Sequence, residues 1–198
     1  MAYIIAGLGN PGDEYQNTRH NVGRAVVKRL GDELGVAWKL DKLHKALEAK
    51  GKIGKESVLL SLPETFMNNS GKAIAPLFKS AKAAEKLVIV HDDIDLPFGT
   101  MKIVFNRGDG GHNGVASIIK SLKTQAFVRI RIGVAPITPG GKTKKPSGEE
   151  AVIKFILGKF TPVQDKDLKK ILKCATAACL AIMSDGRERA MNTFNRSL

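Results

Sequence analysis

The chain has 198 residues, of which 43% are hydrophobic and 26% charged, a composition that is typical of globular proteins and excludes a disordered chain. Its 32 basic and 19 acidic residues give a formal net charge of +13. This surplus favours a polyanionic partner such as nucleic acid or an anionic membrane, with a solvated basic surface as the alternative. Aromatic residues are few (6%), which argues against base stacking along a long single strand.

The sequence predicts neither export nor a membrane span. The first apolar run, Tyr3 to Ala6, follows no basic segment and is too short for a signal peptide. No stretch approaches the roughly 18 apolar residues that span a bilayer. Cys174 and Cys179 point in different directions on a predicted helix, so we expect no disulfide between them. We therefore expect a cytoplasmic protein with reduced cysteines.

Strands and helices alternate along the chain, which predicts an α/β fold. We expect a single-domain sandwich over residues 1–198, with a twisted, mixed and mostly parallel sheet flanked by helices. In chain order, the predicted elements are a strand at 2–8, a helix at 21–35, strands at 45–53 and 57–62, a helix at 70–82, strands at 87–90 and 100–105, a helix at 114–122 and a strand at 128–134.

The last part of the chain contains a basic loop and helices. The segment at about 138–148 is dense in Pro, Gly and Lys, which predicts a mobile surface loop. The C-terminal helices are expected over about 161–195. Thr161 is a suitable N-cap, Pro162 a suitable first helical residue and Gln164 the partner of a capping box.

The most informative segment, from Gly7 to Asn21, places Asn, Arg and His side chains in a glycine-rich loop after the first strand. Side chains on an exposed loop are free to act on a substrate, and imidazole is the commonest general base near neutral pH. Three glycines of this loop also satisfy the G-x-G-x-x-G pattern of dinucleotide sites. Pro11 removes a backbone donor there, and the next apolar periodicity starts only near Val22, so this alternative is weak.

Two further loops precede predicted helices. In the segment from Pro63 to Gly71, Asn69 or Ser70 could cap the helix. This leaves Asn68 for function, although its amide could equally fix the loop. In the glycine-rich loop that ends at Asn113, backbone amides could hold an anion or a carbonyl oxygen. Asn113 could alternatively cap its own helix.

Three carboxylates directly follow the apolar strand at 87–90, in the segment from His91 to Gly99. They could form a metal site, orient a histidine or belong to turns. The spacing matches no common zinc or calcium pattern, so metal is the weakest of these. An aspartate that accepts a hydrogen bond from His20 would fix its tautomer and raise its basicity. No serine or cysteine lies in a nucleophile elbow, which favours water as the attacking group.

Four motifs in this order, GLGNPGDEYQNTRHNVG, PETFMNNSG, HDDIDLPFG and GGHNG, resemble the bacterial-type peptidyl-tRNA hydrolase family. The resemblance runs from Ile5 to about Asn195, and the runs FVRIRIG and FILGKF agree with it. It implies hydrolysis of the ester between a peptide and the 3′ end of tRNA, which frees the tRNA for reuse in translation. It also implies tRNA as partner, through its acceptor arm, and no metal or cofactor. Nothing in the sequence demands an oligomer, so we expect a monomer.

The resemblance implies specific roles for individual residues. His20 would be the general base that activates water, and Asp92 would orient its ring. Asn10, Asn68 and Asn113 would hold the peptide, the water and the oxyanion. Tyr15 and Met67 would line the cleft by the reacting terminus, and Arg131 matches a basic position that the family uses toward tRNA phosphate. We also expect contacts to the substrate or its tRNA from His112, Lys102, Arg107 and Lys142.

One departure from the family concerns the phosphate contacts. Val104 stands eight residues before the histidine of GGHNG, where the family commonly has lysine. Lys102 or Arg107 could supply the missing charge. We also expect the lysines of the basic loop to help hold the acceptor arm, with a solvated loop as the alternative.

A second function remains open at this point. Relatives of this fold serve as RNA-binding, splicing-factor-like proteins that no longer rely on hydrolysis. Neither fold nor charge distinguishes the two, but the complete set of His, Asp and Asn side chains favours an enzyme.

Overall fold

A seven-stranded sheet with helices on both faces organises the molecule. The structure is a computed structural model that describes residues 2–138 and 143–196. The strands are β1 (Tyr3–Gly7), β2 (Lys39–Asp41), β3 (Ala46–Ile53), β4 (Glu56–Pro63), β5 (Leu87–Pro97), β6 (Met101–Phe105) and β7 (Val128–Ala135). The helices are α1 (Val22–Glu33), α2 (Ser70–Ile74), α3 (Asn113–Leu122), α4 (Glu149–Ile156), α5 (Asp165–Ser184) and α6 (Arg187–Phe194).

The strand order across the sheet is β2-β3-β4-β1-β5-β7-β6. The central strands β4, β1, β5 and β7 run parallel, and β3 and β6 flank them in antiparallel pairing. Helices α1, α5 and α6 cover one face, and α2 and α3 cover the other. Strand β5 is apolar on both faces because Val88 and Val90 enter one core while Leu87 and Ile89 enter the other. The predicted α/β sandwich with a mixed sheet is confirmed.

Helix α1 lies directly against the carboxyl ends of β1 and β5 because two glycines allow backbone contact. A Cβ at Gly23 would lie 2.2 Å from the carbonyl oxygen of Val90, and one at Gly7 would lie 2.5 Å from the carbonyl oxygen of Gly23. The 3-10 turn at Arg19–Asn21, which precedes α1, is thereby held beside β5. Since α1 starts only at Val22, the three glycines of the first loop do not lead into a helix as a dinucleotide site requires.

Several element bounds differ from the prediction. The predicted helix at 70–82 ends at Ile74 and continues as 3-10 turns at 75–77 and 81–86, because Pro76 lacks the N–H that would extend it. Strand β5 continues past its apolar run to Pro97, paired with β7 through a register shift after Asp93. The short edge strand β2 and helix α4 were not predicted.

The C-terminal part agrees with the prediction. The backbone N–H of Thr161 donates to Oε1 of Gln164 (3.0 Å), and a 3-10 turn from Pro162 leads into α5. Gly186 (φ 86°) separates α5 from α6. Cys174 and Cys179 are both free thiols, as expected. No described helix is long and apolar enough to cross a membrane.

Asn195, which directly follows the last helix, contacts the edge strand β6. The side-chain amide of Asn195 pairs with the backbone of Ile103 on the edge strand β6: Oδ1 accepts from its N–H (2.8 Å), and Nδ2 donates to its carbonyl (2.9 Å).

Part of the predicted loop at 138–148, including Lys142, lies outside the described residues. Within the described part, the Lys145 ammonium lies 2.6 Å from Asp95.

We predict that Gly23→Ala destabilises the protein by about 2–3 kcal/mol, since the new methyl group meets backbone that cannot move aside. Gly31→Ala is the matched control in the same helix, where the methyl group would meet the half-buried ring of Trp38 at 2.7 Å. Both substitutions gain helix propensity, by up to about 1 kcal/mol, but only at Gly31 is the contacted group a side chain that can shift. Urea unfolding measures the free energy of unfolding of both variants. Equal losses of that free energy in the two variants would contradict the prediction.

Candidate active site

His20 and Asp92 form a buried pair at the carboxyl end of the sheet. His20 is 8% exposed on the 3-10 turn before α1, and Asp92 is 3% exposed on β5. Nδ1 of His20 lies 2.9 Å from Oδ1 of Asp92. Because a carboxylate only accepts, Nδ1 carries the proton, and Nε2 is the nitrogen that is available to take another. The sequence prediction that an aspartate orients His20 agrees with this geometry.

The carboxylate of Asp92 also changes the basicity of His20. Burial opposes the charged imidazolium, but the adjacent carboxylate outweighs burial and raises the pKa of His20 above its ordinary value. Burial likewise opposes the charged form of Asp92. The neighbouring rings of His20 and His112 overcome that effect and hold the pKa of Asp92 well below its usual range. Asp92 therefore stays ionised at neutral pH.

His112 contacts the same carboxylate oxygen but has both of its nitrogens engaged. Nε2 donates to Oδ1 of Asp92 (3.0 Å). Nδ1 caps helix α3, since it accepts from the backbone N–H groups of Gly114 (3.2 Å) and Val115 (3.3 Å). Both nitrogens of the His112 ring are thus engaged in hydrogen bonds, which distinguishes this ring from that of His20. The alternative in which Asn113 caps this helix is wrong, because His112 does so.

A cleft of about 310 Å³ opens in front of this pair. His20, Asp92, His112 and Asn113 line it, with Asn113 exposed at the first position of α3. Strand β5 also contributes Asp93 and Ile94 to the lining, and α4 contributes Glu149, Val152, Ile153 and Ile156. The arrangement offers a base, an amide donor and an apolar wall around one small volume.

Asn10 and the turn at Met67–Asn69 form a second unit. Oδ1 of Asn10 accepts from the backbone N–H of Met67 (2.9 Å), and the backbone of Asn10 is held by the amide of Asn21 (2.8 and 2.9 Å). The sulfur of Met67 packs against Gly114, where a Cβ would lie 2.4 Å from it. This contact places the turn against the start of α3, where Asn113 stands.

The remaining predicted residues on this side are more exposed. Asn68 is exposed and accepts from the amide of Asn69 (3.3 Å). The Tyr15 ring contacts the ring of Phe66 edge-on at 6.5 Å. Neither Asn69 nor Ser70 caps α2 with its side chain. Among the described residues, those that line the cleft do not include Asn10, Tyr15, Met67 or Asn68.

A second, basic cleft of about 380 Å³ lies beside the first, and Gly110 lines both. Three predicted tRNA contacts, Lys102, Arg107 and Arg131, line this cleft. Val104, at the position where the family commonly has lysine, lines it too and is buried. Arg131 donates to Asp93 through Nε (2.5 Å).

Sequence reasoning missed the residues that hold these loops in place. Arg19 stacks on Phe155 (4.4 Å from its guanidinium carbon to the ring centroid) and donates to its backbone carbonyl (3.2 Å), which docks α4 beside His20. Arg129 is buried behind the glycine-rich loop, and His91 is buried beside it. The runs FILGKF and FVRIRIG contain Phe155 and Arg129 and were noted, but a run alone does not distinguish a buried cation from an exposed one.

Two clusters of described side chains have the residue types and spacing of metal ligands. His20, Asp92 and His112 place their ligand atoms within 4.8 Å of one another, and so do Asp41, His44 and Glu48 near the edge strand β2. In the first group, Oδ1 of Asp92 already receives hydrogen bonds from both rings. Hydrogen bonding therefore accounts for the first arrangement, as expected for an acid–base pair.

Comparison with known proteins assigns the family. Residues 4–198 match the family model for peptidyl-tRNA hydrolase. The chain is 41% identical to a peptidyl-tRNA hydrolase of Alkaliphilus metalliredigens (98% of this chain, 99% of the relative) and 37% identical to one of Aquifex aeolicus (98% and 96%). The crystal structure of peptidyl-tRNA hydrolase from Acinetobacter baumannii superposes with a TM-score of 0.86 at 32% identity, covering 98% of this chain and 94% of that one. By sequence and by fold, the chain belongs to the peptidyl-tRNA hydrolase family.

Proposed function

We propose that this protein hydrolyses the ester between a peptide and the 3′ end of tRNA, with His20 as general base. The observation that carries the assignment is the buried pair of His20 and Asp92 (2.9 Å), which leaves Nε2 of His20 unprotonated at the cleft. Family membership supports the substrate, and the complete site favours hydrolysis over the splicing-factor-like, purely RNA-binding alternative.

The reaction follows from this geometry. Nε2 of His20 takes a proton from water while the water oxygen attacks the ester carbonyl carbon, and Asp92 stabilises the imidazolium that forms. The amide of Asn113 donates to the oxyanion of the tetrahedral intermediate. The bond from carbon to the ribose oxygen then breaks, and Nε2 returns the proton to that oxygen. The products are a peptide acid and tRNA with a free hydroxyl group.

The other predicted residues hold the substrate around the reacting ester. Asn10 and Asn68 contact the peptide backbone, and Tyr15, Met67 and the apolar wall of α4 enclose it. His112 keeps Asp92 ionised and in place. The basic cleft receives phosphates of the acceptor arm through Lys102, Arg107 and Arg131, which gives affinity without sequence readout.

We further propose that the protein acts as a monomer of one domain in the cytoplasm. Its two apolar cores pack on opposite faces of one sheet, and both cysteines are free. Light scattering during gel filtration should give a mass near the chain mass of 21.4 kDa.

His20→Ala should lower the rate of tRNA release from an N-blocked aminoacyl-tRNA by roughly 100- to 10,000-fold, the usual contribution of a general base. The matched control is His44→Ala, which removes a histidine that is also paired with a carboxylate, Glu48 at 2.9 Å. Wild-type release should persist in EDTA, since no step requires a metal. Tight, salt-sensitive tRNA binding without release by the wild type would instead establish the RNA-binding alternative.

The pH dependence of kcat/KM should report the raised pKa of His20. The base is active when neutral, so the rate should fall as pH drops through a value above the ordinary 6.5. Asp92→Asn removes the raising charge and leaves burial, so the acid limb should move to lower pH while the plateau rate falls. Asp95→Asn, on the same strand but exposed, is the control. An acid limb that Asp92→Asn leaves in place would exclude His20 as the titrating base.

Lys102→Ala and Arg107→Ala should each weaken tRNA binding and lower its salt slope by about 1, because each removes one phosphate contact. The rate on a minimal N-blocked ester without the acceptor stem should not change. Lys55→Ala, which removes an exposed lysine at the β3–β4 turn, is the matched control. If the salt slope is unaffected, the basic cleft is not the phosphate site.

A further inference from the structure

Arg129 is a buried cation that lies between the two clefts. It is 3% exposed on β7, although the basic cleft includes it in its lining. Its Nη2 donates to the carbonyl of Gly108 (2.6 Å) and, more weakly, to that of Arg107 (3.4 Å), and Nη1 reaches the carbonyl of Asp109 (3.4 Å). The guanidinium therefore ties down three successive carbonyls of the glycine-rich loop.

The loop that Arg129 holds continues into the catalytic groups. Gly110 and Gly111 follow with φ of 66° and 79°, a left-handed conformation that glycine adopts without strain. His112 and Asn113 come next, with His112 bonded to Asp92. A shift at the start of this loop would thus displace both groups in the cleft.

Arg129 also contacts a buried histidine. Nη1 of Arg129 lies 3.5 Å from Nε2 of His91, which is 1% exposed. Nδ1 of His91 donates to the backbone carbonyl of Asp92 (2.7 Å). Since a carbonyl only accepts, Nδ1 carries the proton, and Nε2 turns its lone pair toward Arg129. Burial, with the nearby His112 and Arg129, holds the pKa of His91 well below its usual value, so the ring stays neutral.

His91 also packs against the second catalytic ring. Its ring meets that of His112 edge-on, with centroids 4.6 Å apart. Arg129 is therefore connected to Asp92 and His112 by two routes, one through the loop backbone and one through His91. The titratable groups that act on Arg129 and His91 are Asp92, Asp93, Asp109, His112 and Arg131.

We propose that Arg129 is a positioning residue, which fixes Asp92, His112 and Asn113 from behind through the glycine-rich loop and His91. It is not a ligand of the tRNA phosphate, because its donors are directed at protein carbonyls and at His91. The inference rests on the proposed hydrolase function, and it assigns Arg129 and Arg131, two residues apart on one strand, to different tasks.

The test compares Arg129→Lys on two substrates, an N-blocked aminoacyl-tRNA and the same ester on a short CCA oligonucleotide. Lysine keeps the charge but lacks the planar fork that spans several carbonyls and His91. We expect kcat to fall about 10- to 100-fold on both substrates, as for displaced catalytic groups, with KM for the tRNA substrate little changed. Lys102→Ala should do the reverse, raising KM for the tRNA substrate alone.

His91→Asn provides a second test of the positioning role. Its amide can still donate to the carbonyl of Asp92, but it does not reach Arg129. His91→Asn should lower kcat as Arg129→Lys does. The kcat of the double variant should be no lower than that of the less active single variant, since both changes break the same contact between Arg129 and His91. Thermal unfolding of each variant shows whether it folds. If one single variant does not fold, the proposal is tested with the other.

Three outcomes distinguish the possible roles of Arg129. A loss of kcat on both substrates with non-additive single variants supports the positioning role. Wild-type kcat on the short ester with a raised KM on tRNA would make Arg129 a phosphate ligand, and fully additive losses would separate it from His91. An inactive wild-type protein would refute the hydrolase function itself, which is a different result.

Discussion

One carboxylate oxygen, Oδ1 of Asp92, receives hydrogen bonds from two histidine rings, and the geometry of the candidate site depends on this shared contact. The residues come from segments that are 72 and 20 positions away along the chain. A carboxylate that is 3% exposed is stable only with such donors, so the two rings must converge, with centroids 5.2 Å apart. Capping of α3 then engages one ring at both nitrogens and leaves His20 with one nitrogen to react.

The fold brings these segments together at the carboxyl ends of parallel strands, the usual position of ligands in α/β sheets. Strand β1 ends just before the loop that carries Asn10, and Asp92 lies on β5 itself, directly after its apolar run. The backbone contact between Gly23 and Val90 sets the height of His20 above the sheet. Arg19 then attaches α4, whose apolar side chains complete the cleft. Backbone packing therefore places His20, and the side chain of Arg19 places the α4 wall of the cleft.

Much of this arrangement could be predicted because each polar motif directly follows an apolar strand or precedes a helix. His20, Asp92 and Asn113 were identified in this way, and they line one cleft. The sequence could not distinguish Arg129 from Arg131, since alternation along β7 places both on the same side while only the neighbouring loop buries the first. The sequence left open whether Asn113 caps α3 or acts on the substrate, and spacing alone did not reveal that the side chain of His112 is the cap. Helix α4 was missed because it is only two turns long, and tertiary contacts with Arg19 hold it.

The amide of Asn195 has a consequence for the solubility of the protein. Strand β6 is an outer strand of the sheet, and such edges present free N–H and carbonyl groups to which another chain can add a strand. Asn195 occupies both polar groups of Ile103 in the middle of that edge, and α6 lies against it. Asn195 and α6 thereby cover part of an edge to which another strand could pair, and α6 also contributes Met191 to the wall of the basic cleft. The cover of the sheet edge and the shape of the basic cleft thus depend on a single short helix.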